Sequence, residues 1–299
     1  MPGSAVEEQA IVALARRASI EMTWRHASEL PACRSLLAPG TCVFASHLPG
    51  QTWLQSVDTC AAIRENGFEP VPHVPVRQLL DGGALERLAA DLAGQAGVRQ
   101  VLLIAGDSPK PIGEFSTTLD ALRTGVLAAH GIRSVFVAGH PEGHPSVTAA
   151  ELQRAERDKV EFAAGHGLEL TFLTQFFFDA APFLAWARQL RAQGVQTRLV
   201  AGLAGPARLT TLFKYAVRCG VGPSIRALGA RPTSFARLAA ERGPESIVRA
   251  LARVHGTGEI DPLGIHLFSF GGFARTCVWL RAVADGHFTL DDAAGFKVA

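Results

Sequence analysis

At 299 residues the chain is longer than a typical domain, although barrels of this length commonly form one unit. Hydrophobic residues make up 48% and charged residues 19%, enough to bury a large core, and a net charge of +2 on scattered basic residues gives no case for nucleic acid. No apolar run approaches the roughly 20 residues needed to cross a bilayer, and "MPGSAVEEQA" lacks the positive charge and apolar core of a signal peptide.

Apolar runs of strand length recur along the chain. They are Ala18–Met22, Thr41–Ser46, Glu69–Val74, Arg99–Ala105, Ile132–Gly139, Leu168–Thr174, Gln196–Leu203 and Gly264–Phe270. Both faces of each run are apolar, as strands covered on both sides must be. Amphipathic stretches with helix punctuation lie between them. Ser116–Gly131 opens on hydroxyl caps, Ser146–Gly167 reads the same way, Asp179–Gly194 starts on an acid with Pro182 in its first turn, and Ala207–Gly220 follows. A further helical stretch, about 232–256, precedes the last strand as an insertion. The alternation predicts an α/β fold, a (β/α)8 TIM barrel in a single domain over 1–299. An open doubly wound sheet is the alternative, and it is disfavoured because no GxGxxG follows any strand.

The five cysteines (Cys33, Cys42, Cys60, Cys219, Cys277) are odd in number and show no CxxC or other metal spacing. They read as small buried hydrophobes in a reducing cytoplasm rather than a disulfide framework.

In such barrels the active site lies where the strands end. Those positions hold Glu21, His47, His73, Gly106, Asp107, His140, Gln175 and Ser269. Glu21, flanked by apolar residues in "SIEMTW", is expected to have a raised pKa and to serve as a general acid. The bland reading pairs it with an arginine such as Arg25. In "IAGDSPKP", Gly106 allows a tight turn, Pro109 and Pro111 stiffen the exit, and the carboxylate of Asp107 can meet a ring N–H or steady a cation. A plain loop capped by Asp107 is the other reading. "HPEGHP" spaces His140 and His144 four apart, but Pro141 and Pro145 exclude the regular helix of a zinc pair, so no metal is expected. Gln175 offers a donor and an acceptor suited to a heterocycle edge. Phe176 and Phe178 read as core, and Asp179 as a helix cap.

Together these pieces resemble the methylenetetrahydrofolate reductase family. "TQFFFD" (174–179) is close to its sixth-strand signature, and "HPEGHP" (140–145) resembles its YPExHP stretch. "AGDSPK" (105–110) resembles its RGDxP loop, and "SIEM" (19–22) its first-strand SFEFFPP. "PHV" (72–74) and "GIHLF" (264–268) fall where matching strands belong. The resemblance implies a barrel holding FAD at its mouth, with hydride passing from NADH or NADPH through the flavin to 5,10-methylenetetrahydrofolate. It implies that Glu21 helps open the folate ring, that Asp107 contacts the pterin and steadies positive charge, and that Gln175 orients the folate. Leu209 stands where the family packs a Phe on folate. His73, Ala105, Gly106, Asp107, Phe115, Ser116, His140, His144 and Lys159 fall at cofactor-contact positions.

The departures concern the flavin most. Ala105 replaces the family's Arg, His140 its Tyr, and "MTWR" its FFPP; Ala155, Asp158 and Lys159 stand where it presents Asn, Arg and Lys. Cations that meet a diphosphate are lost, so FAD is expected to be weakly held. Flavin-independent hydride transfer from nicotinamide to folate is the second reading, and a non-catalytic folate-binding protein is the third. The expected partner is a small folate, with neither nucleic acid nor membrane, and a homo-oligomer is compatible with the sequence.

Overall fold

The computed structural model describes residues 2–218, 241–292 and 294–299. Helix α1 (Pro2–Arg16) precedes the barrel. Strands β1 (Ser19–Thr23), β2 (Cys42–Ser46), β3 (Glu69–Pro75), β4 (Gln100–Ile104), β5 (Ser134–Gly139), β6 (Glu169–Phe176), β7 (Arg198–Ala204) and β8 (Leu263–Phe268) then form a closed sheet. All neighbouring pairs are parallel, and β8 closes onto β1 through the registers Ser19–His266 and Ile20–Leu267. The predicted TIM barrel is therefore present, with its strands within a few residues of the sequence-based bounds.

Local chemistry starts the helices. Thr52 caps α3 (Trp53–Glu65), Asp81 caps α4 (Gly82–Gln95), and Thr148 with Glu151 forms a capping box on α7 (Ala149–Gly165). Asp179 caps α8 (Ala180–Ala192) by accepting from the Ala181 N–H at 2.9 Å, as expected from its sequence position. The stretch 116–131 differs from the single helix read from the sequence. It forms α5 (Thr118–Arg123) and α6 (Val126–Ala129), separated by Gly125 at φ +71°, a left-handed conformation that ends helical hydrogen bonding. A short α2 (Leu30–Cys33) follows β1.

Between β7 and β8, α9 (Leu209–Arg218) stands beyond a two-residue bridge of Ala207–Arg208 with Glu241–Arg242. Residues 232–240 of the expected insertion lie outside the described residues, as does Cys219. Its remainder is α10 (Glu245–Thr257), which packs on α1 and α8 as part of the outer ring. Arg249 of α10 is tied to Glu7 of α1 at 3.0 Å and to the carbonyls of Asp291 and Gly295. Helix α11 (Phe273–Ala284) and the hairpin Phe288–Leu290/Phe296–Val298 end the chain. Among the described residues no helix is long and apolar enough to cross a membrane.

Two apolar layers result. Outward-facing strand residues such as Ile20, Val43, Leu103, Leu199 and Leu267 join the helices in the main core. Inside, Phe44, Val71, Leu102, Phe136, Leu173 and Val200 form a separate plug, one residue from each of β2 to β7. The two remaining strands, β8 and β1, bring polar side chains inward instead. That seam in the plug positions the site.

Candidate active site at the strand ends

On β1, Ile20 and Met22 enter the main core, so the alternation of a strand turns Ser19 and Glu21 toward the barrel interior. On β8, Leu263, Ile265 and Leu267 do the same and turn His266 inward. His266 is fully buried, with its ring 4.5 Å from that of Phe44 in an edge-on arrangement. Its Nδ1 lies 2.8 Å from Oγ of Ser19 and its Nε2 lies 3.7 Å from Oε2 of Glu21. From β3, Nε2 of His73 approaches the same Glu21 oxygen at 3.2 Å. The hydroxyl of Ser269 donates to the backbone carbonyl of Glu21, joining the exit of β8 to β1.

This arrangement corrects two expectations for Glu21. Its partners are His73 and His266 rather than Arg25, whose guanidinium lies over the Trp24 ring. Burial by itself raises the carboxyl, but the charge of His73 and the closeness of the His266 and His73 ring nitrogens outweigh it. The group is held well below the usual carboxylate range instead of being raised. Burial pushes His266 down, against the pull of Glu21. A neutral His266 that accepts from Ser19 at Nδ1 carries its ring proton on Nε2, toward Glu21.

Asp107 is exposed, three residues past the end of β4. Gly106 ahead of it has φ +92°, and a Cβ there would lie 2.9 Å from Cβ of Pro75, so the loop passes β3 as only glycine permits. Arg77 clasps this loop. Its side chain donates to the carbonyls of Ser108 at 3.1 Å and Ser116 at 2.9 Å, and its N–H to that of Ala105. Ser116 is exposed, whereas Phe115 is 3% exposed and packs in the main core.

Gln175 is half-buried and lies within β6 rather than beyond it, at an irregularity in the β6–β7 pairing between Leu173 and Phe176. Gly202 makes this irregularity fit. Its N–H donates to Oγ1 of Thr174 at 2.9 Å, and a Cβ would meet the Thr174 carbonyl at 2.2 Å. Phe176 and Phe177 are buried and Phe178 half-buried. With Tyr215 of α9, Phe268 and Phe270, Phe176 and Phe178 build an aromatic wall; the Tyr215 and Phe270 rings stack at 4.2 Å. Leu209 opens α9, the helix that carries Tyr215.

His140, His144 and Lys159 come together beyond β5. The two imidazoles stand perpendicular at 5.4 Å. Burial, followed by repulsion from His144 and Lys159, lowers His140 to about 4, so its ring is neutral. Burial also lowers Lys159, opposed by Glu156 and Asp158. Glu156 accepts from the indole N–H of Trp186 at 3.0 Å.

Sequence reasoning did not single out Ser19, Arg77 or His266. The signal for Ser19 and His266 was present: each falls on the inward alternation of an otherwise apolar strand. Arg77 carried none, because its partners are backbone carbonyls.

A family model described as methylenetetrahydrofolate reductase matches residues 53–221. The 5,10-methylenetetrahydrofolate reductase of Pectobacterium carotovorum subsp. carotovorum is 26% identical over 161 residues, 52% of this chain and 50% of that protein. Methylenetetrahydrofolate reductase 2 of Saccharomyces cerevisiae is 27% identical over 124 residues, 38% of this chain and 20% of that one. The chain thus spans half the length, or less, of these curated relatives. The crystal structure of dihydropteroate synthase from Thermus thermophilus in complex with 6HMPPP aligns at a TM-score of 0.48 and 11% identity, covering 90% of this chain and 91% of that one. The family match contains His73, Asp107, His140, Lys159, Gln175 and Leu209, while Glu21 and His266 flank it. With more than half of its residues matched, on a closed parallel barrel of eight strands, the chain belongs to the methylenetetrahydrofolate reductase family.

Proposed function

We propose that this chain reduces 5,10-methylenetetrahydrofolate to 5-methyltetrahydrofolate with NADH or NADPH. The observation that carries the reading is a carboxyl, Glu21, set between two imidazoles at the polar seam of the barrel. Opening the folate ring requires a proton on the departing nitrogen, and Glu21 is the side chain that hands it over, although the two imidazoles hold its carboxyl ionised in the free protein. The iminium so formed is cationic, and Asp107 steadies it as charge develops. Gln175 pairs with the pterin edge, and the aromatic wall from Phe176 to Phe270 gives the folate an apolar face. The four described cysteines are free thiols, which suits a reducing cytoplasm.

The residues present fit a flavin held weakly. Ser46 Oγ, at the end of β2, is buried without a hydrogen-bond partner among the described residues, and Gly106 offers bare backbone. The diphosphate would meet Lys159 and the neutral ring of His140, while Ala105 and Asp158 supply no cation. When bound, FAD would carry hydride from the nicotinamide to the folate carbon. Two missing charge-assisted contacts weaken binding by roughly 100-fold or more. The same deficit favours a second reading, direct transfer from nicotinamide to folate.

The deciding measurement is the visible spectrum of the purified protein before and after dialysis, read beside NAD(P)H oxidation with and without methylenetetrahydrofolate. Mostly colourless protein whose activity saturates on adding FAD is expected. Deuterium passing from NADH to the methyl group with no response to FAD supports the direct route. Stoichiometric FAD surviving dialysis removes weak binding, and no folate-dependent oxidation under any condition removes the reductase reading.

A further inference from the structure

Asp107 is exposed, and its carboxylate makes no hydrogen bond or ion pair with any described residue. Its aim is therefore set by its own backbone. One residue holds that backbone on both sides of it. In the single turn after β3 (Val76–Gln78), Arg77 donates its N–H to the Ala105 carbonyl at 3.2 Å and its Nη1 to the Ser108 carbonyl at 3.1 Å. Nε of the same guanidinium donates to the Ser116 carbonyl at 2.9 Å, and the Arg77 carbonyl accepts from the Ile112 N–H at 2.9 Å.

The loop needs such a clasp. Pro109 and Pro111 have no N–H, so the stretch that carries Asp107 cannot pair as a strand and leans on donors from outside it. Shape completes the seat. Gly106 passes Pro75, and a Cβ at Gly113 would strike the Leu80 carbonyl, which accepts from the Glu114 N–H at 3.0 Å. The loop itself carries Ala105 where the resembled family has arginine, and the guanidinium that meets it comes from the neighbouring strand instead.

We propose that Arg77 is a positioning residue that acts through Asp107. Its guanidinium fixes the loop so that the carboxylate already stands where positive charge develops, and nothing has to reorganise as the cation forms. This rests on the reading of Asp107 as the group that steadies the iminium of folate reduction.

Arg77→Met removes the guanidinium bonds to Ser108 and Ser116 and keeps the two backbone bonds and most of the aliphatic stem. Its kcat should fall by roughly 10- to 100-fold, with KM for folate little changed. Arg77→Lys, which still brings a charged donor to the carbonyls, should fall between the two. In an Asp107→Asn background the same Arg77→Met change should cost no more than about threefold further. An equal loss in both backgrounds overturns the proposal. A raised KM with unchanged kcat would make Arg77 a ligand contact and overturns it too.

A second measurement needs no turnover. Amide hydrogen exchange over residues 105–116 should quicken in Arg77→Met while β3 and β4 stay protected. Exchange equal to wild type overturns the clasp, and exchange quickened throughout the barrel would reduce Arg77 to a stabiliser of the fold. Wild-type protein without folate-dependent NAD(P)H oxidation sinks the reductase reading, whereas active wild type with equal losses in both backgrounds sinks the role of Arg77 alone.

Discussion

Oγ of Ser19 lies 2.8 Å from Nδ1 of His266, although 247 residues separate them in the chain. The contact selects which nitrogen of a buried ring faces Glu21. Ser19→Ala frees the ring to place its proton on the wrong side. Losing one buried hydrogen bond of this kind costs about 1–2 kcal/mol. We expect kcat to fall roughly tenfold, with KM nearly constant and a lower urea midpoint. Unchanged kcat in a variant with a lowered midpoint would show that Ser19 only stabilises the fold.

Glu21→Gln keeps the volume and removes the proton donor. Folate reduction should fall by on the order of 100-fold or more, while folate binding, followed by fluorescence quenching or calorimetry, survives. Near-wild-type turnover would take Glu21 out of the chemistry.

Gln175 and Asp107 should separate by kinetic signature. Gln175→Ala leaves a heterocycle edge unpaired and should weaken folate binding by roughly 1–3 kcal/mol. Asp107→Asn should reduce kcat more than binding, because the carboxylate matters most as the cation forms. Steady-state kinetics of the pair tests this, and folate parameters unchanged in both would place the pterin elsewhere.

His140 makes the fold acid-sensitive. Its pKa in the folded protein is lowered to about 4, and an unfolded histidine titrates near about 6.5. Between those values the unfolded chain binds a proton that the folded chain refuses. Stability from this group is therefore full above the unfolded value, falls as the pH drops through the window, and levels off below the folded value. The change amounts to about 2–3 kcal/mol. In His140→Gln this part of the slope should vanish, as read by urea denaturation at about pH 7 and about pH 4.5. Parallel pH dependences in the two proteins would assign the sensitivity to other groups.

The barrel was legible because each strand is apolar on both faces and each helix carries its own start signal. Thr148 with Glu151 and Asp179 act within a few residues of themselves, so their roles can be read locally. Gly125 is a case where the local signal was present but outweighed by the helical pattern around it, and the expected helix broke there. Residues at strand ends could be placed at one mouth by the same logic, since a parallel barrel puts every carboxyl end on one side.

What the sequence could not supply is the company that Glu21 keeps. Its immediate neighbours are apolar, and apolar neighbours alone raise a carboxyl. Closing β8 onto β1 brings His266 to it, and inward alternation on β3 brings His73, from 245 and 52 positions away. Electrostatic interaction depends on distance through space, so the protonation of this acid is decided by strand order and register. Sequence by itself determined the strands, the caps and the composition of the mouth. Tertiary structure decided that the acid is paired, by which rings, and in which direction its proton affinity moves.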